Sequence, residues 1–390
     1  MIHANPLSEI FISISRACDG AVNKLPGILF VTTLTTTLML VAAAAQTPSF
    51  HGLGQMPGVW PAAGTYASAI SGDGSTIMGY GWVCAAGQSK CNSSDTVLAY
   101  RWTVAGKYQI LGSRGNSDFF GAGAVSYDGS VIAGEHALPN TFEAFRWTAA
   151  HGMMQIPINI ASAITADGMM VAGGDNWWKT SGQAGIFGPF PGEQDQTQAF
   201  GLSGTGQAPV AVGAAIKGSD ANGATFHAFQ WTPAGDLQDL GLTTGAESMA
   251  TAISANSLVI VGEARDASGF WRAFRWTAST GMQDIGSLGG PESAAFAANA
   301  DGTVIVGTSL TTGSTGSSHC FVWTAKTGMQ DLKILLQAAG VHTADKWVAL
   351  VELDGVSADG TVMVGYGQSP RTKAFPFGNW EPFRVVLPVP

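Results

Sequence analysis

The chain has 390 residues, of which 52 are glycine, 46% are hydrophobic and only 12% are charged. This composition excludes an intrinsically disordered protein, because disorder requires few apolar and many charged residues. The net charge of −9 and the absence of any run of lysine or arginine exclude a nucleic-acid partner, since phosphate binding depends on clustered positive charge. Many glycines and few charges favour short strands joined by tight turns.

The first 45 residues differ in character from the rest. Lys24 precedes an apolar run that closes on four alanines, which is the pattern of a secretory signal with cleavage near Ala45–Gln46. The run is also long enough to span a bilayer, so a retained anchor is the alternative; the threonines in its centre and its small final residues favour cleavage. We predict a removed signal peptide, residues 1–45, and one exported domain, residues 46–390, without a membrane span. It would reside outside a bacterial cell, on its surface or in its periplasm.

Seven copies of one pattern follow the signal. Each copy has an apolar segment rich in small residues, a turn, and a second apolar segment that ends in glycine. The turn is Asp-Gly in five copies, and Asp-Gly between apolar runs is a strong β-hairpin signal. We therefore interpret these aspartates as turn formers rather than calcium ligands or catalytic groups. The copies span Ala67–Gly79, Gly123–Gly134, Ser162–Gly173, Phe200–Gly213, Thr251–Gly262, Phe296–Gly307 and Asp354–Gly365.

An aromatic third segment and an apolar fourth segment complete each copy. The third segment reads AFRWT or a variant in five copies and is degenerate in two, as AGIFG at Ala184–Gly188 and AFPFG at Ala374–Gly378. The fourth reads MQDIG or similar, with FRVVL in the last copy and only GEQDQTQ as a candidate in the third. Four strands in ~40–50 residues are the signature of a propeller blade. We predict an all-β fold, a seven-bladed β-propeller, with the AFRWT tryptophans in the blade cores and the small first-strand residues at the axis.

The remaining structural features are local. SFHGLG at Ser49–Gly54 and the C-terminal FRVVLPV both suit the outer strand of the closing blade, and the sequence leaves the choice open. LKILLQAAG predicts a short amphipathic helix. Cys84 and Cys91 lie in a polar loop and predict a local disulfide, whereas Cys320 predicts a buried free thiol. No metal-ligand spacing and no nucleotide fingerprint is present, so no metal or cofactor is expected.

The segment His227–Leu242, HAFQWT…GDLQDLGL, and its sister AFRWT…GMQDIGSLGG resemble the HAF-repeat family of extracellular bacterial proteins. His227-Ala228-Phe229 is the triplet after which that family is named. The resemblance covers nearly all of residues 49–390. It implies export and repeat type, and it implies no defined chemistry.

The variable parts of the copies are the loops between the second and third strands, which alternating strand direction places on one face of the disc. Four tryptophans in these loops, Trp82, Trp177, Trp178 and Trp271, are candidate contacts for a glycan or a surface protein; alternatively they fold back over blade edges. Glu135 and Glu263 each follow the last glycine of a second strand. They are a candidate acid–base pair over the channel, although solvated glutamates at a loop edge are the favoured interpretation.

No catalytic constellation is evident in the sequence. The leading hypothesis is a secreted or cell-surface, monomeric propeller that acts as a binding or interaction scaffold. An extracellular carbohydrate-active hydrolase or lyase is the competing hypothesis, because propellers also host such sites. A purely structural surface protein is the third.

Overall fold

A computed structural model describes residues 46–390 apart from 59–63, 84–95, 113–118, 139–140, 194–195, 221–222, 314–317, 372–379 and 389–390. The predicted signal peptide, the Cys84–Cys91 disulfide and the AFPFG segment lie outside the described residues. The described chain forms seven four-stranded antiparallel blades around a central channel, which confirms the predicted seven-bladed β-propeller. The blades are numbered I to VII here in chain order, and the first strand of each is the innermost.

The first six blades each use four consecutive strands. Blades I to III consist of β2 (Thr65–Ile70), β3 (Thr76–Val83), β4 (Thr96–Thr103) and β5 (Lys107–Ile110); β6 (Phe119–Val125), β7 (Val131–Leu138), β8 (Thr141–Thr148) and β9 (Gly152–Gln155); and β10 (Ala163–Ile164), β11 (Met170–Gly173), β12 (Asn176–Lys179) and β13 (Ala184–Ile186). Blades IV to VI consist of β14 (Thr197–Gly204), β15 (Pro209–Asp220), β16 (Gly223–Trp231) and β17 (Gln238–Asp239); β18 (Ser248–Ile253), β19 (Ile260–Arg265), β20 (Trp271–Thr277) and β21 (Gly281–Asp284); and β22 (Gly289–Ala298), β23 (Val304–Thr311), β24 (Ser318–Thr324) and β25 (Gly328–Asp331).

Blade VII closes the ring with strands from the beginning and the end of the described chain. Its first three strands are β26 (Ala349–Val356), β27 (Val362–Gln368) and β28 (Glu381–Val386), and its outer strand is β1 (Ser49–Gly52), which pairs antiparallel with β28. The FRVVL segment is therefore the third strand of its blade, and its assignment as a fourth strand was wrong. The reason is that SFHG occupies the outer edge of β28, which decides the closure that the sequence left open.

The closing seam, where β1 packs on the rest of blade VII, contains both aromatic contacts and an ion pair of a buried glutamate. Phe50 of β1 contacts the Trp347 ring edge-on at a centroid distance of 5.2 Å. Glu381 is fully buried beneath β1, where it pairs with Arg371 and accepts a hydrogen bond from the Gly54 amide at 3.1 Å. A β-carbon at Gly52 would lie 2.5 Å from the Glu381 carboxylate and 2.7 Å from the Trp347 ring. The closing strand therefore requires glycine at this position.

Between blades VI and VII the chain forms the predicted helix, α1 (Leu332–Ala338), followed by a short 3-10 helix, Thr343–Lys346. The Asp331 side chain caps α1 by accepting hydrogen bonds from the backbone amides of Lys333 and Ile334. Leu332 and Leu336 are buried and pack into the core of the closing seam. The amphipathic pattern of LKILLQAAG is thereby confirmed as a helix that covers the side of a blade.

The turns between first and second strands build one face of the disc, the turn face. In blade I the Asp73 carboxylate accepts from the Ser71 hydroxyl and the Ser75 amide, and Gly74 supplies a φ of +72°. The Asp73 amide then donates to the Tyr127 carbonyl of the next turn at 3.0 Å. This confirms the aspartates as turn formers and shows that the turns also link blades. Equivalent links run from Tyr127 N to Ala166 O, Ala166 N to Gly204 O, Asn256 N to Ala300 O, Ala300 N to Ala358 O and Ala358 N to Gly72 O.

Blade III departs from the predicted strand assignment. NWWK (Asn176–Lys179) is its third strand and Ala184–Ile186 its fourth, so AGIFG was wrongly assigned as the third. Only Gly174, with a φ of +57°, and one further residue separate β11 from β12, so this blade lacks a long loop. GEQDQTQ is consequently not an outer edge, and its last residues already belong to β14 of blade IV.

The cores lie between neighbouring blades. Four AFRWT-type tryptophans are less than 10% exposed and the fifth, Trp323, is half-buried, which confirms them as core residues. Cys320 is a buried free thiol, as predicted, and burial raises its pKa well above the usual value. In the part of the chain that the structure describes, no helix has the length and apolarity needed to cross a bilayer. The four AFRWT-type tryptophans that are buried in these cores are Trp102, Trp147, Trp231 and Trp276.

Candidate functional site

The face opposite the turns, the loop face, carries the second-to-third strand loops and the connections between blades. In all blades except blade III, the residue after the glycine that ends the repeat pattern lies here, directly opposite a residue of the first strand. This level of the structure varies from blade to blade. The opposing pairs include Tyr80 with Tyr66, Glu135 with Gly121, Ala214 with Gln198, Glu263 with Met249, Thr308 with Ala294 and Tyr366 with Glu352.

At the boundary of blades V and VI the loop face contains a cavity of about 270 Å³. Two residues that the sequence singled out separately, Glu263 and Trp271, both line it, together with a second carboxylate, Glu292. Serine and threonine residues, one alanine, one leucine and one further aromatic residue complete the walls. This cavity is called the Glu263 pocket and is defined by Glu263, Trp271, Glu292, Phe296, Thr308 and Ser318.

The Glu263 carboxyl is half-buried and its pKa is raised to about 7. The main cause is burial, which removes water from the charged form, and repulsion by the exposed Glu292 adds to it. Arg265 acts in the opposite direction. Near neutral pH the side chain is therefore present both as an acid, which donates a hydrogen bond, and as a carboxylate, which accepts one.

Trp271 is positioned by the short loop that precedes it. The Asp266 carboxylate accepts hydrogen bonds from the amides of Ser268 and Phe270, which holds the chain from β19 to β20 in a defined turn. On the β19 side, the Arg265 guanidinium carbon lies 4.4 Å from the centroid of the Trp271 ring. This cation–π contact fixes the ring at the edge of the pocket.

Arg265 is itself held by hydrogen bonds to two residues that do not line the pocket. Its Nε donates to Glu247 Oε2 at 2.6 Å, and a terminal nitrogen donates to the Gly269 carbonyl at 2.6 Å. The guanidinium therefore donates its hydrogen bonds to Glu247 and Gly269, and Arg265 does not line the pocket. Both ionisable residues in the pocket wall are acidic.

Glu135 occupies the matching position of blade II but has a different environment. Its pKa is raised by burial alone, and no second carboxylate contributes. The two glutamates lie three blades apart, and the carboxylate that influences Glu263 is Glu292. The structure thus does not bring Glu135 and Glu263 into one site.

The other three candidate tryptophans are placed differently from Trp271. Trp82 lies in strand β3 of blade I, and Trp271 is the first residue of strand β20, so the prediction that they lie within loops was wrong. Trp82 is 36% exposed on the loop face. Trp177 and Trp178 belong to strand β12, so their placement in a loop was wrong. Trp177 packs 6.3 Å from Trp231, and Trp178 packs against the core between blades II and III. These two side chains fill a blade that has no long loop.

The histidine of the HAF triplet has a structural role. His227 Nδ1 lies 3.1 Å from Asp239 Oδ2, and Asp239 also accepts from the Gly241 amide. The contact ties the third strand to the end of the fourth and to the chain that leaves the blade. Blades V and VI repeat it with Arg272 and Asp284 at 3.3 Å and with His319 and Asp331 at 2.6 Å.

Among the described residues, no group of three or more His, Cys, Asp or Glu is placed to hold a metal ion. Two features were missed by sequence reasoning. Glu292 lies near the start of β22, where the pairing with β23 is irregular between Gly289 and Ser293, and nothing in its sequence neighbourhood marks it. Asp354 is a carboxylate that lines the central channel, and a signal existed for it, because the aligned copies have serine, glycine, threonine or phenylalanine at that position.

Comparisons with known proteins show similarity in fold only. No protein-family model matches the chain, and no curated protein is significantly similar to it. Similar solved structures include a TolB-type protein from Agrobacterium tumefaciens, 12% identical over 87% of this chain and 97% of that one, with a TM-score of 0.42. An oligogalacturonate lyase in complex with manganese is 11% identical over 88% and 97%, with a TM-score of 0.47. The β-propeller domain of the Trilobed protease from Pyrococcus furiosus is 9% identical over 78% and 92%, also at 0.47.

Proposed function

We propose that this protein is an exported binding scaffold of the HAF-repeat type and that it binds a sugar ring in the Glu263 pocket. The observation that supports this most is the convergence of Glu263, Trp271 and Glu292 on one cavity at the open loop face. An aromatic ring beside hydrogen-bonding carboxyls is suited to a sugar, because the ring packs on the apolar sugar face while the carboxyls bind hydroxyls.

The charge of the pocket narrows the ligand class. Both ionisable wall residues are acidic, and the nearby Arg265 is held by Glu247 and Gly269. An acidic sugar would meet repulsion from Glu292, whereas a neutral or amino sugar would not. The partly protonated Glu263 can donate to a hydroxyl as well as accept from one. We therefore propose neutral and amino sugars as ligands, and not uronic acids.

The signal-like N-terminal sequence supports export. The HAFQWT…GDLQDLGL and AFRWT…GMQDIGSLGG segments support the repeat type. Under this proposal the producing bacterium removes residues 1–45. Sequencing of the protein recovered from outside the cytoplasm should then give Gln46 as its first residue. Recovery of the uncleaved chain from the membrane fraction would contradict removal of the signal.

The test of ligand binding is a glycan array followed by titration calorimetry on the best neutral or amino sugar. Trp271→Ala and Glu263→Ala should each weaken binding at least about tenfold, because one removes the stacking surface and the other the hydrogen-bonding carboxyl group. Two matched controls are available in the same fold. Glu135→Ala changes the equivalent glutamate of blade II, and Trp82→Ala changes an exposed tryptophan of blade I, and both should bind like the wild type.

The possible results separate the proposal from its competitors. No glycan binding at all would overturn it and favour a purely structural protein. Equal losses in the Glu135 and Glu263 variants would move the site away from the pocket.

A carbohydrate-active hydrolase remains the second candidate because of one observation, a carboxyl with a pKa of about 7 beside a second carboxyl. Such a pair can supply a general acid and a base or nucleophile. Turnover of a bound oligosaccharide that is lost in both Glu263→Gln and Glu292→Gln would establish this activity. Binding without turnover establishes the scaffold.

A further inference from the structure

The central channel is lined by one level of residues that the repeat places identically in every blade. In six blades the pairing of first and second strands shifts by one residue at the same point, and the bulged residue faces the axis. Together with its counterpart in blade III, this residue lines a cavity of about 450 Å³. The seven residues are Ser68, Gly123, Ser162, Phe200, Thr251, Phe296 and Asp354.

Blade VII is the exception in this ring, because its residue is ionisable. Asp354 Oδ2 has almost no accessible surface and no hydrogen-bond partner in the described part of the chain, whereas the residue as a whole is partly exposed and lines the channel. Glu352 is an acidic neighbour of Asp354. Burial and this neighbour raise the pKa of Asp354 well above its usual value.

The groups around Asp354 offer it no positive charge. Its charge acts on Tyr80, Tyr100, Tyr366 and Cys320, all of which are neutral near pH 7. Tyr366 donates to Glu352 Oε2 at 2.6 Å and so stabilises the other carboxylate. Among the residues that line the channel in the described structure there is no lysine, arginine or histidine.

A buried carboxyl without a cationic partner destabilises a fold. The repeat shows that the fold does not need it, because serine occupies the same position in blades I and III. The residue is therefore explained better by a positively charged ligand than by packing.

We propose that the central channel binds a protonated primary alkylamine at Asp354, with the chemistry of a lysine side chain or the end of a linear polyamine. The N–H donors of an ammonium group match the Asp354 carboxylate and the hydroxyl of Ser68, the channel residue of the adjacent blade I. Phe200, Phe296 and the alanines of the first strands provide an apolar wall for the alkyl chain. An anionic or bulky ligand fits neither the charge nor the small channel.

Binding should be coupled to proton release. Burial disfavours the charged form of Asp354, whereas an ammonium group binds the carboxylate. Binding of the amine should therefore be accompanied by release of protons from Asp354. The affinity should increase with pH until the amine itself loses its proton near pH ~10.

The experiment is titration calorimetry of the folded protein with n-butylamine at pH 7.5 in two buffers of different ionisation enthalpy. n-Butanol, which has the same chain length and no charge, is the ligand control. We expect binding of butylamine with proton release and no binding of butanol. Asp354→Asn should weaken butylamine binding at least about tenfold. Asp236→Asn, which removes an exposed carboxylate between β16 and β17, should leave it unchanged.

A second variant keeps the proposal testable if the asparagine variant does not fold. Asp354→Ser installs the residue that blades I and III have at this position, so it should fold, lose butylamine binding and unfold at a higher temperature than the wild type in amine-free buffer. Absence of butylamine binding to the wild type would overturn the proposal. Wild-type affinity in either Asp354 variant would overturn it as well, and so would a loss of stability in Asp354→Ser.

Discussion

Glu135 in blade II and Glu263 in blade V occupy the same position of the repeat, and their comparison shows what the scaffold provides and what individual blades add. Each follows the last glycine of a second strand, and burial raises the pKa of both. Only Glu263 has a second carboxylate, a tryptophan and a cavity beside it. The repeated blade structure thus buries the glutamate at this position in both blades. The pocket, in contrast, depends on the residues of blades V and VI that surround Glu263.

The largest expected effect tests the part that the two blades share. A β-carbon at Gly134 would lie 2.1 Å from the Gly121 carbonyl oxygen, and one at Gly262 would lie 2.0 Å from that of Met249. Both contacts are to backbone of the neighbouring strand, which cannot move aside. Gly134→Ala and Gly262→Ala should each lower the free energy of unfolding by roughly 3 kcal/mol or more in urea denaturation.

Gly235→Ala is the control for these substitutions, since no atom lies within 4 Å of the added β-carbon and the backbone is not left-handed there. It should change stability by less than about 0.5 kcal/mol. Markedly different losses at Gly134 and Gly262 would show that the two blades do not share one scaffold, and the comparison of the glutamates would lose its basis.

The next effect concerns pH and separates the two glutamates. Burial and Glu292 raise the pKa of Glu263 from 4.5 to about 7, so the folded state holds this proton more tightly than the unfolded state. The stability that results is present below pH ~4.5 and is lost as the pH rises to about 7. Removing the ionisation in Glu263→Gln should therefore stabilise the protein at pH 8.5 by about 2 kcal/mol, allowing for partial exposure of the carboxyl.

Thermal unfolding at pH 4 and pH 8.5 measures this difference. At pH 4 wild type and Glu263→Gln should agree closely, because Glu263 is then protonated in both states. Glu135→Gln should give a smaller gain at pH 8.5, since burial acts there without a second carboxylate. Equal gains for the two variants would remove the distinction between the sites.

The sequence was sufficient for the fold and for single members of the site. The spacing of Asp-Gly turns and AFRWT segments predicted the blades because these residues satisfy local requirements, a positive φ in the turn and a large side chain between blades. Glu263 and Trp271 stood out because they break the repeat. Glu292 did not, since its proximity to Glu263 depends on how blades V and VI adjoin.

The wrong strand assignments in blade VII, which closes the ring, and in blade III also have physical causes. β28 could pair as a third or a fourth strand until the position of SFHG was known, because both assignments satisfy the same apolar pattern. In blade III, AGIFG has the pattern of a degenerate AFRWT segment and was therefore assigned as the third strand. The tight turn at Gly174 instead lets NWWK pair directly with β11, so NWWK is the third strand. A local sequence pattern does not reveal that a loop is missing.

The smallest expected effect tests the charges that distinguish the Glu263 pocket. Arg265 lowers the pKa of Glu263 and Glu292 raises it, whereas neither acts on Glu135. Arg265→Met should therefore raise the pKa of Glu263 and Glu292→Gln should lower it, each by less than about one pH unit because these charges are partly screened by water. NMR titration of carbon-13 labelled glutamate side chains measures both changes.

Arg275→Met is the matched control for this titration, because Arg275 lies in the same blade and strand but opposite Val261 and Gln283, which do not line the pocket. It should leave the titration of Glu263 unchanged, and the Glu135 signal should be the same in all three variants. Absence of a shift in both Arg265→Met and Glu292→Gln would mean that burial alone sets the Glu263 pKa. The pocket would then differ from the Glu135 position in shape and not in charge, and its preference for neutral and amino sugars would have to come from Trp271.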